Sequence, residues 1–94
     1  MDSFELSEEF SIIEANVPEE YVGKSIREIG LRQKFNLLVL TTIKKEEVKS
    51  ILGKSRTMER VLGIATPELI LKENEILVLF GANQDLEKFL KKRF

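Results

Sequence analysis

Glu75-Ile76-Leu77-Val78-Leu79-Phe80-Gly81 is an apolar run that closes on a glycine, and its reading decides the fold. It shows no polar alternation, so it reads as a strand covered on both faces. Asn36-Leu37-Leu38-Val39-Leu40-Thr41-Thr42-Ile43 repeats the pattern upstream and turns β-branched toward its end. It reads as a second central strand, with helix as the rival. Ile76, Val78 and Leu40 are expected to be inaccessible. Helices must cover one side of these strands, and in so small a chain the expected second cover is another subunit.

Working outward, Phe10-Ser-Ile-Ile-Glu-Ala-Asn-Val17 alternates, with Ser11, Ile13, Ala15 and Val17 on one face, and predicts a half-buried strand. Pro18 ends it, and 19–23 form a turn. Ser25-Ile-Arg-Glu28 fits a capping box at the start of a short helix that Gly30 stops, with Leu31 to Phe35 continuing helically. Near the end, Leu86, Phe89 and Leu90 form an i, i+3, i+4 stripe behind an asparagine cap, predicting an amphipathic helix over 83–92. Residues 45–74 give a weaker signal. Val48, Ile51 and Leu52, then Met58, Val61 and Leu62, are spaced helically around Gly53, which fits two helical turns or a mobile excursion. Leu69 to Leu71 fit a short edge strand or a helical turn.

A chain of 94 residues with 43% hydrophobic content supports one core and one domain, of marginal stability without a partner surface or a larger parent protein. It contains neither cysteine nor histidine. Disulfides, thiolate nucleophiles, the usual zinc sites and the commonest general base are therefore missing, and no catalysis and no metal are expected. The longest uncharged stretch, 36–43, is too short to span a bilayer, and the acidic start is the opposite of a signal peptide. A soluble, cytoplasmic chain without direct membrane insertion is the expectation. Net charge is only −1 but uneven: 1–20 hold acidic residues alone, whereas 44–60 are rich in lysine and arginine. The basic run lacks interleaved aromatics, so nucleic acid is not expected as a partner. No G-x-G-x-x-G occurs, so a dinucleotide-binding fold would belong to another domain or subunit.

The order of elements adds more than any single motif. Val22-Gly-Lys-Ser-Ile26, Leu31-Arg32 followed by Phe35, and Glu73 to Gly81 with Asp85-Leu86 behind it resemble the C-terminal regulatory domain of potassium-transport regulators, called TrkA-C or RCK-C. The resemblance covers roughly 6–90. It implies an α+β fold: a small mixed or antiparallel sheet of three to four strands with two helices on one face, forming a single domain over 1–94 with a flexible start at 1–8. It further implies a non-catalytic ligand-sensing module that forms a homodimer. Its partners would be a nucleotide-binding RCK-N type domain or subunit and a membrane cation transporter, at the cytosolic face of the membrane.

In some members the dimer cleft binds cyclic di-adenosine monophosphate (cyclic di-AMP), so that molecule is the implied regulatory ligand, with no cofactor otherwise. Carried over by residue, Arg32 matches the arginine that reaches phosphate, Leu31, Phe35 and Leu37 match apolar residues flanking adenine, and Pro67 lies in the loop closing over the site. The sequence departs from that pattern at Phe35-Asn36-Leu37-Leu38-Val39. Leu38 stands where a polar base-reading residue is expected, and Asn36, the nearest polar alternative, falls by strand alternation on the same face as Leu38. Arg32 also has a plainer use, as a surface partner for Glu28 four residues earlier. The remaining alternatives are a purely structural assembly domain and a small nucleic-acid-binding domain using the 44–60 run.

Overall fold

The computed structural model describes residues 3–92. Five strands form one antiparallel sheet: β1 (Ser3–Glu5), β2 (Phe10–Asn16), β3 (Leu38–Lys49), β4 (Ser55–Val61) and β5 (Glu75–Ala82), in the order β1-β2-β5-β3-β4. Three α-helices, α1 (Ile26–Ile29), α2 (Leu31–Phe35) and α3 (Asn83–Lys91), and a 3-10 turn at Glu19–Tyr21 complete the described residues. The fold is thus α+β, with one strand more than expected. Residues 3–5, expected within a flexible start, instead pair as β1 with β2, Phe4 opposite Ile12.

The last strand in sequence, β5, is the central one. Ala15 and Thr42 flank Leu77, while Ile13 and Val39 flank Leu79. Leu77 and Leu79 are wholly buried with Leu31, Leu37, Leu71, Leu86 and Phe89, so the helices cover this one face. The other face carries Phe10, Ile12, Leu38, Val78 and Phe80, which no layer of helices among the described residues covers. Ile76 is buried as expected, but Val78 and Leu40 are only half-buried for that reason. Phe10 and Phe80 stack on this open face with ring centroids 5.8 Å apart.

Segment 45–74 departs most from expectation. It contains neither helical turns nor an unstructured excursion: β3 runs on to Lys49 and returns as β4 in a regular antiparallel hairpin, Lys45 opposite Glu59 and Val48 opposite Arg56. The turn uses Gly53 with φ at 79°, a left-handed geometry that suits glycine. A twelve-residue strand is about 40 Å long, close to the 47 Å long axis of the molecule. Every β4 residue is exposed. Residues 67–71 form no regular element; Ile70 makes an isolated bridge to Ser25, and Leu71 is buried.

Two local details test the packing. The capping box is complete: the Glu28 N–H donates to Ser25 Oγ at 3.1 Å, and the Ser25 N–H donates to Glu28 Oε1 at 3.0 Å. These contacts, the backbone bond first and the Ser25 side chain second, hold the Glu28 carboxyl below its ordinary value. A depressed carboxyl stabilises the fold above its ordinary pKa, and the contribution is lost as pH falls through the folded value. Ser25→Ala is therefore expected to cost about 1 kcal/mol at neutral pH and less in acid, which urea melts at the two pH values would measure.

The second detail is Gly81, which lies within β5 rather than in a turn. A Cβ there would collide with the buried Leu37 side chain. Gly81→Ala should destabilise by about 1 to 3 kcal/mol through overpacking, read as a drop in denaturation midpoint at unchanged slope. At the start of α3, Asn83 is the first helical residue and not the cap. Its side chain accepts from Ser11 Oγ at 2.6 Å and donates to Glu8 O at 3.0 Å, tying the helix to the entry of β2.

Candidate functional site

The site is built around the joint between the two short helices. Gly30 adopts a left-handed conformation, φ 66°, and ends α1 while serving as the first residue before α2. The chain bends there, so Leu31 is buried while Arg32, one residue on, is exposed. Asn36 then closes α2 in a second left-handed conformation, φ 56°, its N–H donating to Arg32 O at 3.0 Å. Asparagine tolerates this geometry better than most residues. Asn36 thus precedes β3, and the strand alternation expected to place it on the face of Leu38 does not apply to it.

The chain returns alongside α1 after the hairpin. Arg27 N–H donates to Pro67 O at 2.9 Å, Ile26 N–H to Leu69 O at 3.0 Å, and Ala65 N–H to Leu40 O at 3.1 Å. These main-chain bonds hold 65–67 opposite the α1–α2 joint and leave a groove between them. The groove has a volume of about 370 Å³, and Leu31, Leu37, Leu38, Val39 and Pro67 line it with Arg27 and Arg32. Its walls are mainly aliphatic.

Four of the six residues expected from the sequence therefore meet in one place: Leu31, Arg32, Leu37 and Pro67. Phe35 does not join them. Its ring packs edge-on against Phe89 of α3, centroids 5.5 Å apart, with Lys92 Nζ 5.7 Å from its centroid. Asn36 is likewise absent from the lining. Arg27, Val39 and Ala65 line the groove without having been singled out, because main-chain bonds between distant segments, which carry no side-chain signature, bring them there.

Charge distinguishes the two arginines. Arg27 faces Glu68 at 3.8 Å, an exposed pair of small worth. Among the described residues Arg32 has no ion pair, and Glu28, its candidate surface partner, is engaged in the capping box. A free guanidinium at the lip of an apolar trough offers a planar fork of donors to an anion. The described residues hold no cluster of acidic side chains suited to a metal ion, and no helix among them is long and apolar enough to cross a membrane.

The sequence matches no protein-family model and no curated protein. Among solved structures it is similar to the RCK C domain of the potassium transport protein KtrA in complex with cyclic di-AMP. Identity is 22%, the TM-score is 0.62, and the match covers 88% of this chain and 82% of that one. The fold is that of an RCK C domain. The RCK domain of GsuK is similar at 23% identity and a TM-score of 0.66 over 92% of this chain, and the GsuK channel bound to NAD at 22% and 0.65 over 87%. This chain spans only 16% and 13% of those two chains. The RCK C fold agrees with the expectation drawn from the order of motifs, including the closing β5–α3 unit.

Proposed function

We propose that this chain is a non-catalytic regulatory domain of a potassium or other cation transport system. It works as a homodimer and takes cyclic di-AMP in the groove between α2 and residues 65–67. The observation that carries this reading is Arg32, exposed and without an ion pair among the described residues, at the lip of a groove lined by Leu31, Leu37, Val39 and Pro67. An anionic phosphate beside a flat apolar base matches that combination of a guanidinium and an aliphatic wall. The similarity to an RCK C domain that holds cyclic di-AMP supports the same ligand.

Leu38 connects the groove to the dimer. It lines the groove, is 46% exposed, and pairs with Phe80 on the open sheet face. A second copy packed on that face would meet a ligand in the groove, so binding would favour one relative arrangement of the two copies over another. That arrangement is the output passed to an RCK-N type domain and the transporter at the cytosolic side. Titration calorimetry of the chain with cyclic di-AMP tests the reading: saturable heat at one ligand per two chains is expected, and no heat at millimolar ligand would reject it.

One observation favours the structural-assembly alternative. Leu38 brings an aliphatic side chain to the groove where the family pattern calls for a polar reader of the base. A dimer that forms normally yet gives no heat with cyclic di-AMP is the result this alternative expects.

A further inference from the structure

The β3–β4 hairpin is the largest feature that the ligand groove does not use. Beyond Lys44 its side chains are exposed apart from the half-buried Glu46 and Val48, and its tip presents Ile51 at 104% and Leu52 at 84% exposure. Solvated turns ordinarily take polar residues, and two adjacent aliphatics in full water mark a contact surface. Lys49, Lys54 and Arg56 flank them. Among the described residues none of the three has an ion pair, whereas Arg60 and Lys44 are paired with Glu46.

At the root of the same hairpin lies an open bay of about 950 Å³, bordered by Val17, Glu19, Val22, Glu47 and Glu73 with a single cation, Lys45. Glu19, Glu47 and Glu73 are exposed and have no ion pair among the described residues. Val17 and Val22 supply an apolar floor. Three unpaired cations around an aliphatic tip therefore have their complement in a bay where the unpaired carboxylates of Glu19, Glu47 and Glu73 outnumber Lys45 beside two valines. Ile51 and Leu52 lie four and five residues beyond Glu47 along the hairpin, roughly 15 Å, whereas Lys49 and Arg56 stand beside Glu47 and Thr57 where the arm meets the bay, so the aliphatic tip of one hairpin cannot fold back into its own bay.

We infer that the occupant of each bay is the hairpin tip of a second copy of this chain, the two arms lying antiparallel about a two-fold axis. An isologous pairing satisfies both bays at once, because each copy gives a tip and receives one. Glu47 and Thr57 share the sheet face of Ile43 and Ile76 through the β3–β4 and β3–β5 registers, so the arms continue the open apolar face. This rests on the homodimer of the proposed function and specifies which residues hold it.

The test is the dimer dissociation constant of the 94-residue chain, measured by sedimentation equilibrium. Reversing the tip (Lys49→Glu, Lys54→Glu and Arg56→Glu) or the bay (Glu19→Lys, Glu47→Lys and Glu73→Lys) should each raise it at least about tenfold, since like charges then face each other. Combining both sets in one chain should restore it to within about threefold, because the pairing is regained with opposite sign. All six positions are exposed, and thermal melts of each variant report whether the monomer still folds. A dimer indifferent to both sets overturns the arm pairing and leaves the proposed function standing. A parent chain that is monomeric throughout overturns both. Loss of binding to phosphatidylserine-rich vesicles in the tip variant, with the dimer unchanged, would make the tip a membrane contact and also overturn the pairing.

Discussion

Leu77→Ala should cost about 3 to 5 kcal/mol, a large share of the roughly 5 to 15 kcal/mol that holds a domain of this kind together. Leu77 is at 0% exposure in β5, between Ala15 of β2 and Thr42 of β3, and its side chain points into the helix-covered face. Truncation there removes apolar contacts that no neighbour can replace, because sheet partners on both sides prevent collapse. Ile51→Ala provides the contrast. At 104% exposure it should change the stability of the monomer by less than about 0.5 kcal/mol. Chemical denaturation of the two variants, at a concentration where the chain is monomeric, measures both. A loss under about 1 kcal/mol at Leu77 would contradict a core centred on β5.

Arg32→Ala should weaken cyclic di-AMP binding by at least about a hundredfold. A charge-assisted contact is worth roughly 1.5 to 3 kcal/mol, and a ligand with two phosphates would meet one Arg32 from each copy. Two such losses exceed a hundredfold on that scale. Arg32→Lys should recover only part, because an ammonium keeps the charge and loses the planar fork. Arg27→Ala is the control. Its guanidinium faces Glu68 at 3.8 Å, so its removal should cost less than Arg32. Calorimetry reads all three, and equal losses at Arg27 and Arg32 would mean that overall positive charge, not the placement of Arg32, governs affinity.

What could be read in the sequence was whatever burial or local hydrogen bonding had written into it. Period-two alternation marked β2 because Ser11, Ile13 and Ala15 face the core while Phe10, Ile12 and Glu14 do not. Ser25 and Glu28 marked a helix start because the box needs only those two side chains. The hairpin was illegible for the opposite reason. Beyond Lys44 its side chains are exposed or at most half-buried among the described residues, so burial imposed little period on the sequence, and the helix-like spacing of Val48, Ile51 and Leu52 has no structural counterpart. Both central strands looked covered on two faces, yet the described residues supply a helical cover on one face, which leaves Val78 and Leu40 half-buried.

The groove was partly legible. Leu31 and Arg32 stand in sequence as they stand in space, at the bend after Gly30. Phe35 follows closely in sequence but belongs elsewhere, since three residues further along α2 its ring meets Phe89. Ala65, Thr66 and Pro67 reach the groove through main-chain bonds to 26–27 and 40, which depend on how the whole chain returns from the hairpin.

The central claim is that the trough between α2 and residues 65–67 receives cyclic di-AMP. Amide chemical shifts followed through a titration with that ligand test it most directly. The account predicts saturable changes at Leu31 to Val39 and at Ala65 and Thr66, with Glu73 to Glu75 beside the bay unmoved. Unchanged spectra at saturating ligand, or changes confined to the bay, would contradict it.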